Sequence, residues 1–207
     1  VREVKADYFT DANLAVQLKV LEVDRISDLG QAEIGFGDVS VLARATIFKK
    51  IKFDTHENIG SGPIHLPEEE LHTSAAWISL KKEDELSPKK LEDGLKGAAN
   101  ALGTIAPLYV MADPQDIHIV PQIKAIHNEL PTIFFYDRYP GGIGLSEKIF
   151  SGMEQIVEQA KNLIKHCPCQ SGCPSCIGSD IGDGEGKKDA MFVLNSFSFE
   201  DKGLNRE

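Results

Sequence analysis

No cysteine precedes Cys167 in this chain of 207 residues, and the only four then crowd between Cys167 and Cys176. That distribution excludes a disulfide framework, whose cysteines would be spread to staple distant segments. Long apolar runs are also missing. None approaches the roughly 18 residues that a membrane span requires, so the expectation is a chain with no membrane partner. Positive charge is scarce, with 22 Lys plus Arg against 32 Asp plus Glu and a net charge of -10. A polyanion is therefore repelled at long range, and any nucleic-acid contact must be local. The N-terminus Val1-Arg2-Glu3-Val4 lacks a secretory apolar region and the Arg- and Ser-rich character of a transit peptide, which points to the cytoplasm. It opens on Val rather than Met in what reads as a strand, so the chain is expected to be part of a longer protein.

What is present is an ordinary globular composition. Hydrophobic residues make up 42% and charged residues 26%, enough to bury a sizeable core without covalent staples. Period-two patterning over residues 14–23 and again from Val39 to Phe53 predicts two strands. Asp28, Gly30, Gly35, Gly37 and Asp38 between them predict a wide loop. Pro67-Glu68-Glu69-Glu70 reads as a helical turn and Ala75 to Leu80 as a short strand. Ser87-Pro88 opens a helix through Leu91, Leu95, Ala98 and Leu102, with Gly103 as its stop. Residues 108–120 suggest two brief extended pieces, residues 131–137 a buried strand, and Leu145 to His166 one long helix. The fold class expected is mixed α/β (α+β), an antiparallel-rich sheet with packed helices and a C-terminal four-cysteine zinc knuckle. Residues 1–166 would form the body, with 167–207 packed on it as one structural domain.

The strongest chemical signal is Cys167-Pro-Cys169-Gln-Ser-Gly-Cys173-Pro-Ser-Cys176. Four thiolates this close can reach one ion at about 2.3 Å each, and zinc accepts such a tetrahedron because its filled d shell imposes no geometry. With no coordination position left open, the site would be structural. Three other readings stay open at this point. They are an iron–sulfur cluster, whose usual spacings fit the C-x-C start poorly, a redox-active Cys173-x-x-Cys176 pair, and four idle thiols. His166 is an alternative ligand, although a helix-terminal His more often complements the helix dipole.

A second constellation, Asp137-Arg-Tyr-Pro-Gly-Gly-Ile-Gly144, precedes a helix. Its glycines would either form a tight turn or present N–H donors to a phosphate. The acidic loop from Asp180 to Gly186 lacks the EF-hand ladder and reads as solvated. The lysine pairs Lys49-Lys50, Lys81-Lys82, Lys89-Lys90 and Lys187-Lys188 are the candidates for a basic patch, against the plainer reading of solvated faces. Lys187-Lys188 stands out because it follows the cysteine cluster. The histidines at 56, 65, 72, 118 and 127 sit in unlike segments, and no catalytic residue can be assigned.

Tyr136 to Leu145 followed by a long helix and the cysteine run resembles a known helicase module, the C-terminal zinc-binding (MZB) domain of MrfA-type DEAD/DEAH-box DNA repair helicases. Phe48 to Phe53, Glu70-Leu-His-Thr73 and Ile105 to Val110 also look like it, so that the resemblance spans about residues 1–195. It implies that Cys167, Cys169, Cys173 and Cys176 ligate one structural zinc. It further implies a parent that is an ATP-dependent 3′ to 5′ helicase in DNA damage repair, with upstream RecA-like helicase domains as partners and single-stranded DNA as a possible one. ATP and magnesium would belong to those motor domains, because this chain has no Walker A loop and no Asp-Glu-x-His motif. The alternative is a zinc-stabilised protein-interaction or regulatory module that does not contact DNA.

Overall fold

A computed structural model describes residues 6–81, 86–179, 184–197 and 199. The strand pattern at Val1, Lys82, and the part of the acidic loop from Asp180 to Asp183 lie outside them. The described chain is mixed α/β with an antiparallel sheet. In order it forms β1 (Tyr8–Asp28), β2 (Ala32–Lys52), β3 (Asn58–Pro63), β4 (Glu69–Leu80), α1 (Pro88–Val110), β5 (Ile117–Gln122), β6 (Thr132–Asp137), α2 (Leu145–Ser151), α3 (Met153–His166), α4 (Pro174–Ile177) and α5 (Gly186–Ser196). The strand order is β1-β2-β4-β6-β5, with β3 beside β2. Two compact units divide the chain: residues 1–18 with 41–71, and residues 19–40 with 72–207.

In the first unit, β3 pairs antiparallel with β2, Ile47 facing Pro63 and Lys50 facing Gly60. The Thr46 hydroxyl donates to the Asn13 carbonyl at 3.1 Å, and the Phe9 and Phe53 rings meet at 5.6 Å.

The second unit holds the main core. β4 runs antiparallel to β6, with Trp77 opposite Phe134, and β5 pairs with the other edge of β6. Residues Ala75 to Leu80 and Ile133 to Tyr136 are buried on both faces, which is why they read as continuous apolar runs rather than alternating ones. Ala76, Ile78, Ile133 and Phe135 share a core with Leu91, Leu95, Ala98 and Leu102 of α1, Ile156 and Ala160 of α3, and Val193 and Leu194 of α5.

Several local expectations change. The wide loop between the first two strands is instead the short turn Leu29-Gly30-Gln31, closed by the Gly30 N–H donating to Asp28 Oδ1 at 2.8 Å. Gly35 and Gly37 belong to β2. A Cβ at Gly35 would stand 2.2 Å from the Trp77 ring, so this glycine marks close packing inside a strand rather than a turn. Residues 69–70 are strand, not a helical turn, because β4 extends upstream of the apolar run. α1 passes Gly103 and ends at Val110, since its apolar stripe continues through Ala106 and Val110. The long final helix breaks at Gly152 into α2 and α3, where the Tyr109 ring occupies the space that any Cβ would need. α5 escaped the sequence reading.

Candidate metal centre

Three of the cysteines are placed by helix ends, and Cys169 lies in the loop between α3 and α4. Cys167 is the C-cap of α3, its N–H donating to the Ile164 carbonyl at 3.3 Å. Gly172, at φ 124, turns the chain back. Cys173 is the N-cap of the one-turn α4, Pro174 takes the first helical position, and Cys176 is the third. The two cysteines exchange capping interactions: the Cys176 N–H faces the Cys173 sulfur, and the Cys173 N–H donates to the Cys176 sulfur at 3.4 Å. Cys176 is 1% exposed and joins the core beside Ile177, so the cluster is rooted in the packed interior.

The four sulfurs lie within 4.8 Å of one another. Cys167 and Cys173 are 3.6 Å apart, Cys169 and Cys176 3.5 Å, and Cys173 and Cys176 3.6 Å. A tetrahedron with metal–sulfur bonds of about 2.3 Å has edges of about 3.8 Å. The donor set therefore fits one ion held by four thiolates. A multi-iron cluster divides its cysteines among two or four irons, so its four sulfurs cannot all lie this close together. No histidine joins this group among the described residues. His166 Nδ1 instead meets the Asn162 carbonyl at 2.9 Å, the helix-terminal role.

The thiols are unequal before a metal arrives. N–H groups of Cys176 and Ser175, together with the neighbouring thiol of Cys167, hold Cys173 down at about 7. Burial pushes Cys176 up to about 12, against the opposing N–H of Cys173. Burial also raises Cys169. Cys173 is thus the first thiolate available, and the metal itself must displace the Cys176 proton.

Lys187 is the residue that sequence reasoning misplaced. Rather than facing solvent with Lys188, its Nζ donates to the carbonyls of Cys167 at 2.7 Å and Cys169 at 2.9 Å. Its backbone N–H donates to the Ser171 carbonyl at 2.9 Å. A cation clamped across both residues of the C-x-C pair fixes their sulfurs and offsets the negative charge of a four-thiolate ion. No local signal reveals this, because 20 residues separate the partners. Lys187→Met should weaken zinc binding about 10–100-fold, the usual range for groups that orient ligands, measured by competition with a chromophoric chelator. Lys188→Met, whose Nζ reaches Glu185 at 3.4 Å, should change little.

The glycine loop after β6 is also resolved in chemical terms. Asp137, fully buried, accepts from the N–H groups of Ile143 at 2.7 Å, Leu145 at 3.2 Å and Ser146 at 2.8 Å, and from the Ser146 hydroxyl. The donors that a phosphate would use are taken by the protein's own carboxylate, so the tight-turn reading holds. Among the single histidines, His118 stacks on Tyr136 at 5.4 Å and His127 meets Trp77 at 5.5 Å. Burial pushes both below the usual histidine range, with Arg138 adding to the effect at His118.

Comparison with known proteins agrees with this geometry. The family described as the MrfA Zn-binding domain matches residues 98–177. The chain is similar to an uncharacterized ATP-dependent helicase, YprA, of Bacillus subtilis, 56% identical over 199 residues that make up 96% of this chain and 27% of the relative. It is 24% identical over 198 residues to the ATP-dependent helicase HRQ1 of Saccharomyces cerevisiae, covering 87% of this chain and 18% of that one. A crystal structure of the DUF1998 helicase MrfA bound to DNA superposes with a TM-score of 0.75 and 56% identity, covering 95% of this chain and 26% of that one. The chain therefore spans about a quarter or less of the length of these relatives.

Proposed function

Residues 98–177 make this chain a member of the MrfA Zn-binding domain family, and from that premise we propose that it is the zinc-binding accessory domain of an ATP-dependent 3′ to 5′ DNA helicase acting in DNA damage repair. Cys167, Cys169, Cys173 and Cys176 hold one structural zinc, and the segment from residue 167 onward folds as one domain with the body. The observation that carries this reading is the set of four sulfurs within 4.8 Å, rooted in the core through Cys176. Bound zinc contributes folding free energy and cross-links α3, α4 and the loop between them. The chain's own residues then keep a rigid surface against the RecA-like motor domains of the same cytoplasmic protein and along the path of single-stranded DNA. ATP hydrolysis belongs to those motor domains.

Metal analysis tests this directly. Protein purified without chelators should carry one zinc per chain, and iron with visible absorbance, or less than about half an equivalent of any metal, would overturn the zinc assignment. The second reading, a platform for protein partners that never touches DNA, is favoured by the net charge of -10. Single-strand binding separates the two.

A further inference from the structure

The first unit carries a row of cations and rings on one face of its ribbon, and the zinc reading makes no use of it. Phe48 and Lys50 stand at alternate positions of β2, so their side chains leave the strand on one side, and Lys52 follows just beyond the register shift between Lys50 and Ile51. The Lys50 ammonium lies 5.2 Å from the centre of the Tyr8 ring, a cation–π contact that holds it in place.

β3 places only small residues beside this row. Its residues opposite Phe48, Lys49 and Lys50 are Gly62, Ser61 and Gly60, so no bulky side chain crosses from the neighbouring strand. The Phe48 ring reaches over Gly62, where an added Cβ would meet it at 2.8 Å, and the Lys50 stem passes 3.9 Å from the Cβ position of Gly60. The glycines of β3 thus let an aromatic ring and a lysine lie across the strand, both half-buried. Among the described residues, no carboxylate lies within ion-pair distance of Lys49, Lys50 or Lys52, whereas Arg44 in the same unit pairs with Glu68 at 3.6 Å. Cations without acidic partners, interleaved with rings, suit an anionic polymer that also offers flat faces for stacking. Single-stranded nucleic acid has both, with phosphate for the ammonium groups and bases for the rings.

We propose that the Tyr8–Phe48–Lys50–Lys52 face of the β1–β2–β3 ribbon binds single-stranded DNA, Lys50 and Lys52 meeting phosphates and Phe48 stacking on a base. This rests on the single-strand reading above and gives that contact an address. It also replaces Lys187-Lys188, since Lys187 is committed to the cysteine carbonyls.

The experiment titrates a fluorescein-labelled oligodeoxythymidine with the chain at about 50 and 200 mM salt. Wild type should bind, with an affinity that falls steeply as salt rises. Lys50→Glu/Lys52→Glu should lose at least about tenfold in affinity and flatten the log–log salt slope by about 1.4, two contacts at about 0.7 each. Phe48→Ala should lose about fivefold or more with the slope kept. Far-UV circular dichroism checks that each variant is folded, and Lys50→Gln/Lys52→Gln gives a milder second pair that should lose affinity in the same direction. Lys188→Glu and Lys124→Glu should bind as wild type does. No binding by wild type at low salt overturns the single-strand reading itself. Binding by wild type that the ribbon variants leave unchanged, or that the two control variants weaken equally, overturns the ribbon assignment alone.

Discussion

Cys176→Ser should empty the metal centre and lower the melting temperature by more than about 10 °C. Structural zinc is worth about 10–16 kcal/mol in small peptide sites, and only a part of that needs to be at stake here, where about 2–4 °C of melting accompanies each kcal/mol. Cys176 is the appropriate position because its sulfur is both a corner of the tetrahedron and part of the core, and it answers the Cys173 N–H. Serine keeps the shape but supplies no thiolate, leaving three ligands and a hydroxyl in the packed interior. Metal content and thermal unfolding should fall together. A variant that keeps one zinc and melts as wild type does would remove Cys176 from the site.

Acid should act in the same direction. Cys173 sits at about 7, below the usual thiol range, so its contribution to stability is present above the unfolded value and is lost as pH falls through about 7. Cys176, pushed up to about 12, has the opposite sign in the metal-free protein, where its neutral thiol is favoured and that advantage fades as pH rises toward the folded value. Zinc binding at neutral pH should therefore release the protons of the other thiols and only part of one from Cys173, and the loaded protein should lose metal as acid reprotonates the ligands.

Asp137→Ala should be the second severe change, costing about 4–5 kcal/mol and about 10–20 °C of melting in a domain of this size. Alanine removes the acceptor for three backbone N–H groups and one hydroxyl in a fully buried position. Unsatisfied buried donors cost about 1–3 kcal/mol each, and bonds to a carboxylate are at the strong end. Asp137→Asn should recover only part of the loss, because its amide turns donors toward donors. Gly142→Ala tests the same loop from the other side: at φ 74, an added Cβ would stand 2.0 Å from Ser74 Oγ. Thermal unfolding followed by circular dichroism reads all three, and melting within about 2 °C of wild type for Asp137→Ala would refute the loop-holding role.

Much of this protein was legible in one dimension. Periodicity placed β1, β2 and the start of α1, because a strand or helix that buries one face must repeat its apolar residues at that element's period, and a continuous β-branched and aromatic run placed β6. The cysteine run announced its chemistry because all four donors are close in sequence, and the helicase-module resemblance rested on the same stretch. Four of the errors fell on glycine. Gly35 and Gly37 read as turn, Gly103 as a helix stop, and Gly152 as nothing, yet two of these four sit where a distant ring would collide with any Cβ.

The sequence by itself therefore determined the fold class and the metal-binding donor set, since these depend on residues near one another along the chain. Only the tertiary structure decided that Lys187 clamps the C-x-C carbonyls and that Asp137 fills the loop a phosphate would otherwise occupy. It also decided that Lys50 lies across the glycines of β3 with its ammonium over the Tyr8 ring. Each of these is a contact between segments with no shared period or spacing. A lysine or aspartate side chain takes its role from what the folded backbone brings within about 3 Å of it, and that distance is not written in sequence separation.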